Sequence, residues 1–317
     1  MTDKQFSIKR FDGVQDYARW NDMVGQCRQG SFLFDRRYMD YHAERFSDCS
    51  LVVMKGTRLI ALFPASVENS TVISHGGLTY GGLLTTRRAT STDVEASLDV
   101  VNNYLVSIGI KEVVYKPVPH IYHTTPAEED LYYLWRNVKM ELVARQFSST
   151  IDRDNQARFF EIRRRGIKRA MQAGITIECD NDFEGFWAIL TQNLDNKYNT
   201  APVHSLDEIK LLAERFPHNI KLYVARHEGR VVAGTVLYLT SMVAHAQYIT
   251  ASPEGKEIGA LDALFETVIK TSLNSCRYFD FGISTEQHGL YLNESLIYQK
   301  EGFGARATLY DIYQYTL

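Results

Sequence analysis

Residues 242–284, MVAHAQYITASPEGKEIGALDALFETVIKTSLNSCRYFDFGIS, contain the pattern that decides the fold of this chain. An apolar strand ends near Thr250, and a turn containing Gly255 and Gly259 follows it. The next apolar residues recur at i, i+3, i+4, i+7, i+8 and i+12, which predicts an amphipathic helix over 260–273. RYFDFGIS then predicts a second strand. The segment therefore indicates a strand–turn–helix–strand unit of an α/β protein.

The same order of elements occurs in the first half of the chain. LVVMKGTRLIALFPA from Leu51 and LYVARHEGRVVAGTVLY from Leu222 each predict a β-hairpin, with Gly56 or Gly229 in the turn. HGGLTYGGLL from His75 predicts a strand, and a helix over 93–106 and the strand KEVVYKPV follow. This self-similarity predicts two tandem α/β domains, residues 1–150 and 151–317, each with a mixed, largely antiparallel sheet.

Composition narrows the class of protein. The chain has 317 residues, of which 45% are hydrophobic and 23% charged, so neither disorder nor a coiled coil dominates. No apolar run is long enough for a membrane span, and the N-terminus predicts no signal peptide, so we expect a cytoplasmic protein. A net charge of −3 provides no overall basic field for nucleic acid. The four cysteines are widely spaced, so we expect neither disulfides nor a metal site.

The glycine-containing turn is a candidate anion site. A turn that opens a helix directs free N–H groups and the positive end of the helix dipole at a phosphate. The alternative is a plain connecting loop. A bulge over 247–250 would in addition direct a backbone N–H group at an oxyanion. The candidate residues for contact with a phosphorylated ligand are Tyr248, Ile249, Thr250, Gly255, Lys256, Gly259 and Ala260.

The densest positive charge lies between the two halves, in RFFEIRRRGIKRAMQAGITIE from Arg158. The pattern predicts a basic amphipathic helix with Phe160, Ile167 and Met171 facing inward, ended by Gly174. A solvated face is the plain alternative for the charges. The candidates for contact with phosphates of a substrate are Arg163, Arg164, Lys168 and Arg169.

The C-terminal stretch brings in a family resemblance. YFDFGIS from Tyr278 and YQKEGFG from Tyr298 follow the hairpin, strand, turn and helix in the order found in GNAT N-acyltransferases. The duplicated domain and RRRGIKRAMQAGI resemble, more specifically, the Fem-type peptidyltransferases and their GNAT-like relatives. The turn departs from the R/Q-x-x-G-x-G/A pattern of GNAT acetyltransferases, and the chain lacks the long helical arm of Fem-type enzymes.

The resemblance implies a bacterial N-acyltransferase of cell-envelope or polysaccharide biosynthesis. Its first domain would shape the acceptor groove, and its second would bind the donor and carry the chemistry. The expected donor is acetyl-CoA or another acyl-CoA, and the acceptor an amine on an amino sugar, a nucleotide-sugar or a lipid-linked precursor. The alternatives are transfer from aminoacyl-tRNA and a non-catalytic binding protein with the same fold. The oligomeric state stays open.

The resemblance also implies roles for single residues. Tyr298 would protonate the leaving group, and Lys300 would face an anionic substrate. Asp280, Glu286, His245 and His288 are the candidates for the base that deprotonates the amine, with His245 also a substrate-binding candidate. The alternatives are a structural carboxylate for Asp280, a solvated loop for Glu286, a core histidine for His245 and a solvated helix face for Lys300.

Overall fold

The chain folds into two compact units. A computed structural model describes residues 5–198 and 200–317. Unit 1 runs up to Gln146 and includes 287–290 and 309–317, whereas unit 2 comprises 147–286 and 291–308. The domains 1–150 and 151–317 stay a prediction, and the last nine residues belong to unit 1.

Over its described residues, unit 1 contains four α-helices and most of the short strands. Its helices are α1 Tyr17–Gln26, α2 Arg36–Met39, α3 Ser91–Ser107 and α4 Glu129–Tyr133. The strands of the first half are β1 Phe6–Arg10, β2 Ser47–Asp48, β3 Leu51–Lys55, β4 Arg58–Phe63, β5 Ser66–Glu68, β6 Thr71–Ile73, β7 Leu84–Thr85, β8 Glu112–Tyr115 and β9 Glu141–Asp152, whose last part lies in unit 2.

Two groups of strands and the predicted helix form the core of unit 1. One sheet has the order β1-β3-β4-β7, all antiparallel, and β8-β6-β5-β2 lie side by side in a second. β6 and β8 are parallel, with α3 between them in sequence. Val94, Leu98 and Val101 of α3 are buried in this core. The predicted helix is confirmed, and a capping box formed by Thr90 and Asp93 begins it.

Unit 2 alternates helices with longer strands. Its helices are α5 Glu161–Gln172, α6 Phe183–Tyr198, α7 Leu206–Arg215, α8 Pro253–Ile258, α9 Ala260–Leu273 and α10 Glu294–Glu301. Its strands are β10 Thr176–Asp180, β11 Ile220–His227, β12 Arg230–Leu239, β13 Val243–Ala251, β14 Tyr278–Ile283, β15 Thr285–Glu286, β16 Tyr291–Leu292 and the start of β17 Arg306–Thr316, which continues in unit 1.

The sheet of unit 2 has the order β10-β11-β12-β13-β14-β9. Its pairs are antiparallel except β13 and β14, which are parallel and joined through α9. The apolar side of α9 packs on this sheet, with Leu264, Phe265 and Val268 buried against strand residues such as Phe279. The helix predicted over 260–273 is confirmed with the same bounds, and the mixed, largely antiparallel sheets are confirmed in both units.

Two local predictions require comment. The hairpin turns are confirmed, since Gly56 and Gly229 have φ of 62° and 78°. The strand predicted from His75 is wrong, because the chain from His75 to Gly82 forms turns. A Cβ on Gly77 would lie 2.2 Å from His42 Nε2, and one on Gly81 would lie 2.0 Å from the Ser74 carbonyl oxygen. The glycines therefore allow close chain packing there, and Gly81 forms an isolated bridge with Pro117 instead of continuing a strand.

Candidate functional site

The parallel strands β13 and β14 pair over only three residues. The pairs are Val243 with Tyr278, Ala244 with Phe279 and His245 with Asp280. Beyond His245, β13 continues beside β12 to Ala251, and beyond Asp280, β14 continues to Ile283, which pairs with Ser148 of β9. The two strands therefore part after His245 and Asp280, which leaves main-chain groups of the centre of the sheet without a strand partner.

A bulge in β13 lies where the strands part. Val236 of β12 pairs with Tyr248 and Leu237 pairs with Ala246, so Gln247 is the extra residue, within the predicted 247–250. Ser252 N donates to the Val232 carbonyl on β12. Peptide groups alternate in direction along a strand, so the N–H of Ile249 points away from β12, towards the opening. This N–H is placed to bind an oxyanion.

Asp280 and His245 form a hydrogen-bonded pair at the point of parting. The Asp280 side chain is completely buried, and its Oδ2 lies 2.7 Å from His245 Nδ1. Its Oδ1 accepts hydrogen bonds from Ser148 Oγ at 2.6 Å and Thr150 Oγ1 at 3.0 Å. A carboxylate bound to Nδ1 selects the tautomer that carries its lone pair on Nε2. The histidine side chain is 17% exposed, so this nitrogen can accept a proton from a substrate.

Gly282 allows the histidine ring to lie beside β14. Its φ is 77°, which favours glycine, and a Cβ there would lie 3.2 Å from His245 Cε1. The glycine of the DFG sequence thus makes room for the imidazole at the opening. His245 is therefore neither a core histidine nor a distant surface residue.

The Lys300 side chain, from α10, contacts the end of β14 and does not face a substrate as the sequence suggested. Its Nζ donates to the carbonyls of Gly282 and Ile283 at 2.7 and 3.1 Å and to Ser284 Oγ at 2.7 Å. An ammonium group has three hydrogen-bond donors, and all three are used. The residue is buried, so both the contact with an anionic substrate and the solvated helix face are corrected. Burial lowers its pKa to about 8, against the opposing effect of Asp280.

The glycines of the predicted anion turn pack against the protein itself. A Cβ on Gly255 would lie 2.2 Å from the Val232 carbonyl oxygen, and one on Gly259 would lie 2.5 Å from the Gly166 carbonyl oxygen. The turn contains α8, whose Ser252 cap accepts from Gly255 N. These glycines therefore allow the turn to pack closely against β12 and α5. This corrects the prediction that they make room for a phosphate. Lys256 is exposed and Ala260 is buried.

Of the donor-site candidates on β13, Ile249 packs against the core that contains α9, whereas the side chains of Tyr248 and Thr250 lie on the side of α6. Tyr248 is buried, its ring lies 5.0 Å from that of Trp187, and its hydroxyl lies 2.5 Å from His204 Nδ1. Thr250 Oγ1 accepts a hydrogen bond from Asn193 Nδ2 at 2.7 Å. Their side chains hold α6 and the chain before α7 on the strand, so any contact with a donor would come from the main chain of 248–250.

The basic helix α5 contains two kinds of arginine. Arg163 pairs with Asp262 of α9 at 2.7 Å and lies over the Phe303 ring, so its charge is used inside unit 2 and not for a substrate. Arg164 is exposed and pairs with Glu161, whereas Lys168 and Arg169 are exposed. Of the inward-facing residues predicted here, Ile167 is buried, but Met171 is 70% exposed, which corrects that assignment.

Two of the predicted catalytic residues lie on exposed surface. The Tyr298 side chain is 54% exposed, with its ring 5.8 Å from that of Phe160. Tyr298 and Lys300 are two residues apart on α10 and thus project about 200° apart, so Tyr298 does not share the lysine's direction towards β14. Glu286 is exposed and accepts a hydrogen bond from Asn293. Both roles stay predictions.

Sequence reasoning missed two hydroxyl groups of the site. Ser148 and Thr150 belong to FSSTID on β9, a strand that is antiparallel to β14. Their alternation, i and i+2, places both on one face of the strand opposite Asp280. A pair of hydroxyl residues two apart in an apolar strand was the available signal, but the partner strand was not identifiable from the sequence.

The structure thus has two α/β units, one of which contains a parallel strand pair that parts beside a buried aspartate and its histidine partner. Residues 157–289 match the sequence model of the Acetyltransferase (GNAT) domain family. A search of curated proteins gave no match.

Three solved structures show the same fold over nearly the whole chain. FemX has 10% identity and a TM-score of 0.68, with 98% of this chain and 97% of that chain covered. The C-terminal domain of a putative lysylphosphatidylglycerol synthetase from Agrobacterium fabrum has 14% identity, a TM-score of 0.62 and coverages of 96% and 92%. A tandem GNAT protein from the clavulanic acid biosynthesis pathway has 11% identity, a TM-score of 0.52 and coverages of 98% and 98%.

Residues 157–289 thus resemble the Acetyltransferase (GNAT) domain family, and the chain as a whole has the fold of FemX and of the tandem GNAT protein. Among the helices of residues 5–198 and 200–317, none is both long and apolar enough to span a bilayer. The described part of the chain also holds no cluster of three or more His, Cys, Asp or Glu side chains arranged for a metal ion.

Proposed function

We propose that this protein transfers an acyl group from a phosphorylated carrier to an amine at the opening between β13 and β14. The observation that carries the proposal is the parting of these strands directly after the buried His245–Asp280 pair. The acceptor that we propose is an amine of an amino sugar or another cell-envelope precursor, in line with the family resemblance.

The residues at the opening have complementary roles in this reaction. A free amine near the lysine reference pKa of about 10.4 is mostly protonated at neutral pH, so the reaction needs a base. His245 Nε2 accepts the proton, while Asp280 orients the ring and stabilises its charged form. The N–H of Ile249 binds the oxyanion as the amine attacks the carbonyl carbon.

The leaving group then needs a proton, for which we keep Tyr298 as the candidate acid. Tyr298→Phe removes the hydroxyl and keeps the ring against Phe160. If Tyr298 is the acid, kcat falls about 10²-fold or more while the donor Kd stays the same. Unchanged turnover would exclude this role.

Acyl-CoA is the donor that we propose, because the matched family model describes an acetyltransferase domain. The test is release of free thiol from acetyl-CoA and longer acyl-CoAs in the presence of a library of amino sugars and amines. Thiol release that requires the amine supports the proposal. Binding of acyl-CoA without turnover with any amine would favour the non-catalytic alternative.

Aminoacyl-tRNA is the second candidate donor, and a specific observation favours it. Gly255 and Gly259 are packed against Val232 and Gly166, so the turn before α9 offers no glycine-lined cradle for the pyrophosphate of CoA. Exposed Lys168 and Arg169 of α5 provide positive charge for a larger polyanion. Titration calorimetry with acetyl-CoA and with charged tRNA separates the donors. Salt-sensitive binding of tRNA alone would overturn acyl-CoA.

A further inference from the structure

We propose that Lys300 is a positioning residue that fixes the end of β14 in the conformation that parts it from β13. The inference rests on the proposed acyl transfer, since it explains how the site keeps its shape. Lys300 belongs to α10, so the helix that carries it pins the strand that carries Asp280.

The hydrogen bonds of Nζ support this role and oppose direct substrate binding. Gly282 O, Ile283 O and Ser284 Oγ accept all three of its protons at 2.7, 3.1 and 2.7 Å. The residue is only 4% exposed. An anion could reach Nζ only by displacing one of these three acceptors, which belong to consecutive residues of the strand end.

The backbone of β14 is shaped around the ammonium group. Carbonyls of successive strand residues normally point in opposite directions, yet those of Gly282 and Ile283 both bind Nζ. Gly282 has φ of 77°, and the register with β9 shifts between Asp280 and Ile283. The lysine thus holds a local departure from regular strand geometry that begins two residues after Asp280, the last residue that pairs with β13.

The charge of Lys300 links this clamp to the catalytic pair. A buried ammonium group is costly unless hydrogen bonds and nearby negative charge compensate it. Asp280 raises the pKa of Lys300 against desolvation, so the ammonium and the carboxylate favour each other's charged forms. An ionised Asp280 is the form that orients His245 as a base.

The test combines exchange and kinetics for Lys300→Met, with Lys270→Met as a control on an exposed lysine of the same unit. Without substrate, we expect amide hydrogen exchange over 281–284 to become at least about 10-fold faster in Lys300→Met and to stay unchanged in Lys270→Met. Lys300→Met should also lower kcat by about 10-fold or more, with donor Kd altered less than about 3-fold. Lys300→Arg retains charge and donors and should recover part of the protection.

The outcomes separate this inference from the proposed function. Unchanged exchange over 281–284 together with a Kd or KM raised about 10-fold would make Lys300 a substrate ligand and overturn the clamp. If the wild-type protein turns over no donor, the proposed function fails, but the exchange measurement still decides the clamp. If Lys300→Met does not fold, Ser284→Ala removes one acceptor, and unchanged exchange there would equally overturn it.

Discussion

At the scale of single residues, the site depends on a histidine whose orientation is fixed by a fully buried carboxylate. Asp280 accepts from two hydroxyl groups on one oxygen and contacts His245 Nδ1 with the other. The carboxylate therefore has hydrogen-bond donors on both neighbouring strands, two hydroxyl groups on β9 and the imidazole on β13. This arrangement leaves little freedom for the imidazole and places its second nitrogen at the opening.

Replacing either member of this pair should reduce turnover without abolishing donor binding. His245→Gln removes the base, and Asp280→Asn places an amide where the carboxylate accepts from Nδ1. We expect kcat to fall about 10²-fold or more in both variants. Steady-state kinetics and donor titration measure this, with exposed His218→Gln as the control. A variant that lowers only donor affinity would contradict the base assignment.

A buried histidine of unit 1 shows how burial makes stability depend on pH. His42 is buried in unit 1, and neither of its ring nitrogens has a hydrogen-bond partner among the described residues. Burial, with a smaller effect of Arg45, lowers its pKa to about 4. The unfolded chain protonates near pH 6.5, so stability is lost as the pH falls from about 6.5 towards about 4.

His42→Leu should therefore reduce the acid sensitivity of unit 1. The difference in unfolding free energy between pH 7.5 and pH 5 should shrink by about 2 kcal/mol, because the variant has no group to protonate. Urea unfolding at both pH values measures it, and His218→Leu serves as the exposed control. An unchanged pH dependence would show that His42 is not protonated on unfolding in this range.

Residue types and spacing identified His245 and Asp280 as candidates, but not the residues that surround them. The alternation in YFDFGIS placed the Asp280 side chain on the strand face opposite to its neighbouring phenylalanines. The family resemblance identified Lys300 as a candidate site residue. What the sequence could not show is that Lys300 uses all its donors on main-chain carbonyls and that Arg163 pairs with Asp262. Such pairings depend on which helix packs on which strand end, which no local pattern encodes.

At the scale of elements, α5 and α9 approach each other at a glycine. A Cβ on Gly166 would lie 1.7 Å from Asp262 Oδ2, and Asp262 also accepts from Arg163 at 2.7 Å. Close contact of the helices thus requires a residue without a side chain at this position. The sequence RRRGIKR predicted a helix correctly but gave no reason for its glycine.

Gly166→Ala should destabilise unit 2, although alanine favours helices. The new methyl group must displace Asp262 from Arg163, and we expect a loss of about 1–3 kcal/mol. Gly25→Ala is the matched control, because Gly25 lies exposed in α1 with nothing within 4 Å of a Cβ. That variant should gain about 0.5–1 kcal/mol. Chemical denaturation of both variants tests the contrast, and equal effects would refute it.

Strand signals were less reliable than helix signals in this chain. The spacing of apolar residues predicted α9 with its observed bounds. The composition of HGGLTYGGLL is compatible with a turn as well as with a strand. The close contacts of Gly77 and Gly81 with neighbouring residues favour the turn. Periodicity of a helix is carried by many residues, whereas a short strand is specified mainly by its partners.

At the scale of the whole molecule, the order of elements along the chain differs from their distribution between the units. The duplication was visible in the sequence because hairpins, helices and turns are local features. The last strand, β17, was not assignable in this way, since its part from Leu309 onwards completes unit 1 and not the unit that precedes it in sequence. Strand partners far apart in sequence leave no local signal.

A chain truncated after Thr308 should therefore lose the structure of unit 1 first. Tyr313 and Tyr315 pair with Tyr115 and Val113 of β8, and Tyr315 belongs to the core that contains α3. Without this strand, β8 loses a partner and buried aromatic area, so exchange protection of α3 should fall by about 10²-fold or more, whereas α9 should retain most of its protection in its own core. Hydrogen exchange with mass spectrometry measures both helices, with exposed Thr316→Ala as the control for a change within the same strand. Equal loss of protection in α3 and α9 would show that the two units unfold together and would contradict the independent role assigned to the C-terminal strand.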